Sequence, residues 1–171
     1  MPPEWEGHGD LRLRPQTGGD RDFLYRLYSS TRADEMALVD WSEEQKRAFV
    51  QMQFEAQAKH YTEHFPAASF DIIELDGESI GRLYVEMLDD ELRIIDIALL
   101  PDFRRRGIGA HYMHSLMRQA VDVGACVAIH VEKNNPAMGL YERLGFERVE
   151  DKGVYWFMRW RTGPDQENTA S

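Results

Sequence analysis

The spacing of apolar positions along the chain changes rhythm several times. Leu11-Arg12-Leu13-Arg14-Pro15 alternates with a period of two and predicts a short strand. The run GGDRDFLYRLYSSTR predicts a helix, with Asp20 as its N-cap and Phe23, Leu24, Leu27 and Tyr28 on one stripe. A longer helix is predicted within DWSEEQKRAFVQMQFEAQAKHYTEHFP. Ser42 would cap it, Gln45 would complete a capping box, an aromatic stripe would face the core, and Pro66 would end it.

The rhythm then returns to strands. SFDIIEL, ESIGRLYVEML and ELRIIDIALL, separated by Asp76-Gly77 and Asp89-Asp90, predict an antiparallel meander. Met113, Leu116, Met117 and Ala120 recur at helical spacing as far as Gly124, and ACVAIHVE reads as a strand covered on both faces. NPAMGLYERLG predicts a helix stopped by Gly145, and FERVE and VYWFMRW close the chain as strands around Gly153. The predicted order is β-α-α-β-β-β-α-β-α-β-β, an α/β protein without internal repeats.

Composition narrows the classes of function. The 171 residues carry 20 Lys+Arg against 30 Asp+Glu, a net charge of -10, and 43% apolar residues. One soluble domain over residues 11–162 is expected, with a flexible N-terminus at 1–10 and a flexible tail at 163–171. The negative charge argues against a nucleic-acid partner, because phosphate binding needs a broad cationic surface. A single cysteine, Cys126, excludes an intramolecular disulfide and a Cys-rich zinc site; its apolar strand suggests inert packing. With no signal-like start and no apolar run of membrane-spanning length, a cytoplasmic protein without a membrane partner is expected.

Against this acidic background, Pro101-Asp102-Phe103-Arg104-Arg105-Arg106-Gly107-Ile108-Gly109 concentrates positive charge between a strand and a helix. Backbone N–H groups of residues 105 to 109 would stand at a helix N-terminus without intrahelical acceptors, where they can hold an anion. Glycines allow close approach and arginines add charge-assisted bonds, so a pyrophosphate suits the corner. The competing reading is a tight turn with solvated arginines. A P-loop would need Gly-Lys-Ser/Thr, and a dinucleotide fingerprint would need glycine where Tyr112 stands.

The second half of the chain supplies a resemblance. Arg104, Gly107 and Gly109 match the Arg/Gln-x-x-Gly-x-Gly/Ala signature of the GCN5-related N-acetyltransferases. Asn134, Ala137, Tyr141, Gly145 and Phe146 match that family's Asn-x-x-Ala-x-x-x-Tyr-x-x-x-Gly-Phe signature. The recognisable match covers about residues 69 to 150, whereas residues 30 to 65 match no signature. The resemblance implies a mixed, mostly antiparallel sheet with helices on both faces, and acetyl-CoA as cosubstrate. It implies that the CoA pyrophosphate lies on the N–H groups from Arg105 through Arg106, Gly107 and Ile108 to Gly109. Pantetheine would run along the backbone of Ile97, Ala98 and Leu99 like an added strand. Asn134 would bond near the pantetheine arm, and Tyr141 would face the thioester sulfur.

Acetyl transfer to an amine needs a neutral nucleophile, support for an oxyanion, and assistance to the leaving thiolate. Tyr141 is the candidate acid; its competing role is to pack a helix on the sheet. Asp96, which interrupts the apolar run IIDIALL, is the first candidate base, with a hydrogen-bonded structural role as its alternative; Glu86 and Glu132 are others. The lone strand histidine His130 reads as a packed core residue. The resemblance places the acceptor among the N-terminal helices and central hairpin, giving Glu35, Trp41, Gln53, Gln57, Tyr61, Arg82 and Tyr84 as candidates. Asp34, Glu35 and Asp40 would form an acidic mouth for a cationic amine, or a solvated charge cluster.

The pairs His60/His64 and His111/His114 have chelating spacing, but no carboxylate completes an HExxH pattern, so no metal is expected. The resulting expectation is direct transfer from acetyl-CoA to a primary amine of a small molecule in a ternary complex. A protein or peptide acceptor is the runner-up within the enzyme class, and a non-catalytic acyl-CoA-binding sensor is the rival outside it. The resemblance leaves a homodimer open.

Overall fold

The computed structural model of the protein describes residues 5–162; the expected tail at 163–171 and the first four residues of the expected flexible N-terminus lie outside the described residues. The elements run β1 (Leu11–Pro15), α1 (Arg21–Ala37), α2 (Glu43–His64), β2 (Ser69–Leu75), β3 (Glu78–Met87), β4 (Glu91–Leu99), α3 (Ile108–Val123), β5 (Cys126–Glu132), α4 (Met138–Arg143), β6 (Glu147–Lys152) and β7 (Tyr155–Trp160). This is the order that the periodicity predicts. Among the described residues the seven strands form one mixed, mostly antiparallel sheet, ordered β1-β2-β3-β4-β5-β7-β6.

The chain folds into two compact units. One comprises His8–Leu83 with Ile97–Arg104; the other takes the described residues of Met1–Gly7 and Arg105–Ser171 together with Tyr84–Asp96.

In the first unit, β1 and β2 pair antiparallel from Leu11↔Leu75 to Pro15↔Asp71. Leu24, Tyr28, Val50, Phe54 and Ile72 form its core, with Phe23, Tyr25 and Met36 packed against them. The hairpin after β2 turns on Asp76 (φ 53°) and Gly77 (φ 82°), two left-handed residues whose twist matches the flanking strands. The capping box of α2 is present: Ser42 Oγ accepts from Gln45 N–H at 3.1 Å, and Gln45 Oε1 accepts from Ser42 N–H at 2.9 Å. Of the expected aromatic stripe, Phe54 is buried, while Phe49, Tyr61 and Phe65 are half-buried.

Asp20 occupies the N-cap position of α1, as expected, but its side chain makes no cap hydrogen bond. It ends a 3-10 turn over Gly18–Asp20 and has helical dihedrals, and its carboxylate accepts from Thr17 N–H at 2.8 Å and from the Arg14 guanidinium at 2.9 and 2.7 Å. Two bonds to the Arg14 guanidinium, in which both partners are charged, outweigh the single bond to a neutral backbone N–H that a cap would supply. Those bonds hold the Asp20 carboxyl down at about 2.

The second unit is built on parallel and antiparallel pairings around β5. Leu92 and Ile94 of β4 stand beside Val127 and Ile129, which in turn oppose Trp160 and Met158 of β7, so one face of these strands is almost wholly apolar. Met113, Leu116 and Ala120 of α3 are buried with them, and the helix ends at Gly124 in the left-handed conformation. His130 departs from the expectation of a packed core residue. It is exposed, with its ring centroid 4.9 Å from that of Phe157 and the rings tilted.

Helix α4 is shorter than its sequence suggested. Asn135 N–H donates to Glu132 O at 2.9 Å and Asn135 Oδ1 accepts from Ala137 N–H at 2.8 Å. This local turn occupies residues that the helix would otherwise have used.

Candidate active site

The backbone of β4 first marks the site. Its parallel pairing with β5 runs from Glu91↔Cys126 to Ile94↔Ile129 and goes no further, although β4 continues to Leu99 and β5 to Glu132. Beyond Ile94, the apolar residues Ile95, Ile97, Ala98, Leu99 and Leu100 are all half-buried, unlike the fully buried Leu92 and Ile94 before them. A strand whose pairing stops short of its end has backbone donors and acceptors to offer an extended ligand. In the first unit, Gly81 fixes the other side of this segment: a Cβ there would collide with Ala98 O and the Leu99 side chain, so close approach requires glycine. Leu100 N–H donates to Ile80 O at 2.8 Å.

After β4, a 3-10 turn over Pro101–Phe103 leads to the glycine corner. Arg105 is left-handed (φ 61°), Gly107 is left-handed (φ 83°), and Gly107 is the N-cap of α3. The first helical bond is His111 N–H to Gly107 O at 3.0 Å, so N–H groups of the first turn have no intrahelical acceptor. Nothing lies within 4 Å of where a Cβ would sit on Gly107 or Gly109. The fold itself therefore does not need Gly109 to lack a side chain, and glycine in a helix costs about 1 kcal/mol relative to alanine. Arg105 and Arg106 are exposed here, and Ile108 is buried beneath them. Arg104 is turned elsewhere: in the first unit its Nε donates to Leu99 O at 2.9 Å and an Nη to Ser30 Oγ at 3.4 Å.

Asp96 and Tyr141 lie in the second unit and sense one another. By alternation Asp96 follows Leu92 and Ile94 on their face, just past the end of the β4–β5 pairing. Tyr141 is buried on α4, edge-on to Phe146 with ring centroids 5.9 Å apart. Burial, and secondarily the negative charge of Asp96, push the Tyr141 phenol well above its ordinary value, so it keeps its proton at every physiological pH. Asn134 is exposed in the turn after β5, Ala137 is half-buried at the start of α4, and Glu86 and Glu132 are half-buried.

The acceptor candidates divide between the units. In the first, Arg82 is buried on β3, donates to Gln57 Oε1 at 2.9 Å and lies 5.9 Å from the centre of the Tyr61 ring. Gln53 accepts from Tyr28 Oη at 3.5 Å, and Arg32 Nε donates to the same Tyr28 oxygen at 3.3 Å. Glu35 is tied to Arg32 at 3.0 Å, and Trp41 stands edge-on to Phe49 at 5.2 Å. Asp34 and Asp40 are exposed. Tyr84 is buried in the second unit. The sequence reading missed Tyr28, Ser30 and Arg32 as polar members of this region; the i,i+4 spacing of Tyr28 and Arg32 was the available signal.

Neither histidine pair gathers further ligands. The His60 and His64 rings stack 4.1 Å apart, His111 lies edge-on to Trp5 at 5.5 Å, and no group of three or more metal-ligating side chains occurs among the described residues. Cys126 is buried as a free thiol. Among the described residues no helix is long and apolar enough to cross a membrane.

A mixed seven-stranded sheet whose one parallel pairing, β4 with β5, stops at Ile94, with a glycine-started helix α3, is the architecture of an acetyltransferase. The model of the acetyltransferase (GNAT) family matches residues 24–146, and the chain belongs to that family. An N-alpha-acetyltransferase of Sulfurisphaera tokodaii is 29% identical over 98 residues, 48% of this chain and 59% of the relative. A ribosomal protein bS18-alanine N-acetyltransferase of Haemophilus influenzae is 28% identical over 82 residues, 47% of this chain and 56% of the relative. Each match thus spans less than two thirds of the relative's length. Over most of the chain the fold agrees with the PaiA N-acetyltransferase of Thermoplasma acidophilum, crystallised with coenzyme A. There the TM-score is 0.68 at 14% identity, covering 90% of this chain and 99% of that one.

Proposed function

We propose that the protein transfers the acetyl group of acetyl-CoA to the terminal amine of a polypeptide. The observation that carries this reading is the end of the β4–β5 pairing at Ile94, in the strand that precedes the glycine-started helix α3. Backbone groups of Ile97, Ala98 and Leu99 pair with the pantetheine arm. The first-turn N–H groups of α3, with Arg105 and Arg106, hold the pyrophosphate, and the open space beside Gly107 and Gly109 admits it. Asn134 and Ala137 border the arm. The cosubstrate supplies an acyl group on a sulfur leaving group, and the chain's own residues orient it and manage protons.

Asp96 receives the proton of the incoming ammonium, directly or through water, so that a neutral amine attacks the thioester carbonyl. A backbone N–H on the 96–99 segment meets the oxyanion. Tyr141 donates a hydrogen bond to the sulfur as the carbon–sulfur bond breaks, and the proton shed by the new amide nitrogen passes to the departing thiolate or to water. Full proton transfer would be uphill, because burial holds the phenol above its ordinary range whereas a free thiol sits at roughly 8.5. A stabilising hydrogen bond therefore fits Tyr141 better than outright protonation.

The polypeptide acceptor is favoured by the names of the curated relatives, which specify an N-alpha amine and a ribosomal-protein alanine. Exposed Asp34 and Asp40 favour a second reading, a small cationic amine. Acceptor-dependent release of CoA thiol separates these readings in a cytoplasmic-type buffer. Release with peptides bearing free N-termini, and none with acetyl-blocked peptides, supports the first; release only with polyamines, aminoglycosides or amino acids supports the second. CoA binding with no release across the whole panel would point to a sensor.

A further inference from the structure

We infer that Arg104, the arginine of the signature, is a positioning residue for the end of β4 and does not contact phosphate; this rests on the acetyl-CoA reading above. Arg105 and Arg106 follow it in sequence, yet its guanidinium is already engaged within the first unit. Nε donates to Leu99 O at 2.9 Å, five residues back, and an Nη reaches Ser30 Oγ on α1 at 3.4 Å. Ser30 Oγ in turn donates to Leu27 O at 2.6 Å, so it is fixed to the helix and has its lone pairs available to Arg104.

Leu99 is the last residue of β4, and Leu100 N–H bonds to Ile80 O at 2.8 Å. Arg104 thus closes the short loop 99–104 on itself and joins it to α1. The rigid planar fork of arginine can serve two acceptors on different elements at once, which a lysine ammonium on a flexible stem cannot do with the same geometry. The clamp holds the backbone of Ile97–Leu99 at the angle pantetheine pairing requires, and it leaves phosphate to the two arginines and the amides that follow.

The two roles separate when the donor lacks phosphate. Arg104→Lys keeps the charge and loses the fork, and Arg104→Gln keeps a neutral donor; each is assayed with acetyl-CoA and with acetyl-pantetheine, which has no pyrophosphate. The positioning role predicts that in both variants KM rises by the same factor, about tenfold, for the two donors. A phosphate contact predicts a rise for acetyl-CoA alone and its rescue by lysine, which would overturn the inference. A fall in kcat with KM unchanged for both donors would overturn it too, since that is loss of active protein without loss of positioning.

Hydrogen exchange of the unliganded protein gives a second readout that does not depend on turnover. Faster exchange of the Leu100 amide in Arg104→Lys is expected, and an unchanged rate would contradict the clamp. Absence of wild-type turnover with either thioester would count against the acetyl-transfer reading, while the exchange result would still decide the role of Arg104.

Discussion

Helices α2 and α3 bury themselves in opposite ways. α3 has 16 residues and sinks seven of them, Ile108, Tyr112, Met113, Ser115, Leu116, Met117 and Ala120. α2 has 22 residues and sinks only Val50 and Phe54, and Gln53, Gln57 and Tyr61 occupy half-buried positions on the same stripe. One helix packs along its length and leaves its chemistry to its first turn. The other intersperses amides and a phenol among its packing residues, where they bond to Tyr28 and Arg82 and give its inward stripe groups able to read a substrate. Under the proposed function, cosubstrate binding would draw on the first kind of helix and choice of the acceptor on the second.

The contrast would break most visibly at Met113. Met113→Ala on α3 should cost about 3 kcal/mol by urea unfolding, because a fully buried side chain leaves a cavity. Met52→Ala on α2, at a position 60% exposed, should stay within about 0.5 kcal/mol. Equal costs would mean that α2 is packed as tightly as α3.

A smaller effect is expected at Asp20, whose ion pair with Arg14 ties the start of α1 to β1. Its folded value of about 2 lies below the ordinary 3.8, so its stabilisation is complete above the ordinary value and is lost as pH falls through about 2. Asp20→Asn should lower stability by about 2 kcal/mol near pH 7, and the two proteins should converge as the pH approaches 2. A constant gap across that range would assign the effect to packing.

The smallest and most informative change is Gly109→Ala. Open space around the Cβ position and the helix propensity of alanine predict a gain of about 0.5–1 kcal/mol in stability. Calorimetry should then show CoA binding weakened by about tenfold, because the methyl occupies the room the pyrophosphate uses. A more stable protein that binds CoA equally well would remove the reason given for the glycine.

Much of this was legible before any coordinates. Strand alternation, the Asp76-Gly77 turn, the Ser42-Gln45 box and the Gly107 corner depend on local chemistry, and local chemistry is written in neighbouring residues. The stop in the β4–β5 pairing at Ile94 was not legible from side-chain pattern, because ACVAIHVE and IIDIALL look equally apolar whether or not their backbones pair. The position of Asp20 at the N-cap of α1 was legible, but the bonding of its carboxylate was not, because the residue also lies within reach of Arg14 on the preceding strand. Helix α4 came out short because Asn135 offered the backbone a competing turn. The engagement of Arg104 was hidden by the two arginines beside it, which share its charge and differ only in where they point.

The measurement that tests the central claim most directly compares the wild type with Tyr141→Phe in CoA-thiol release from acetyl-CoA and a free-N-terminus peptide, alongside CoA binding by calorimetry. The account predicts that kcat falls by roughly 10- to 100-fold, the worth of one hydrogen bond to a developing charge, while CoA affinity holds within about twofold. Unchanged turnover in the variant would leave Tyr141 as a packing residue and contradict the site described for this chain.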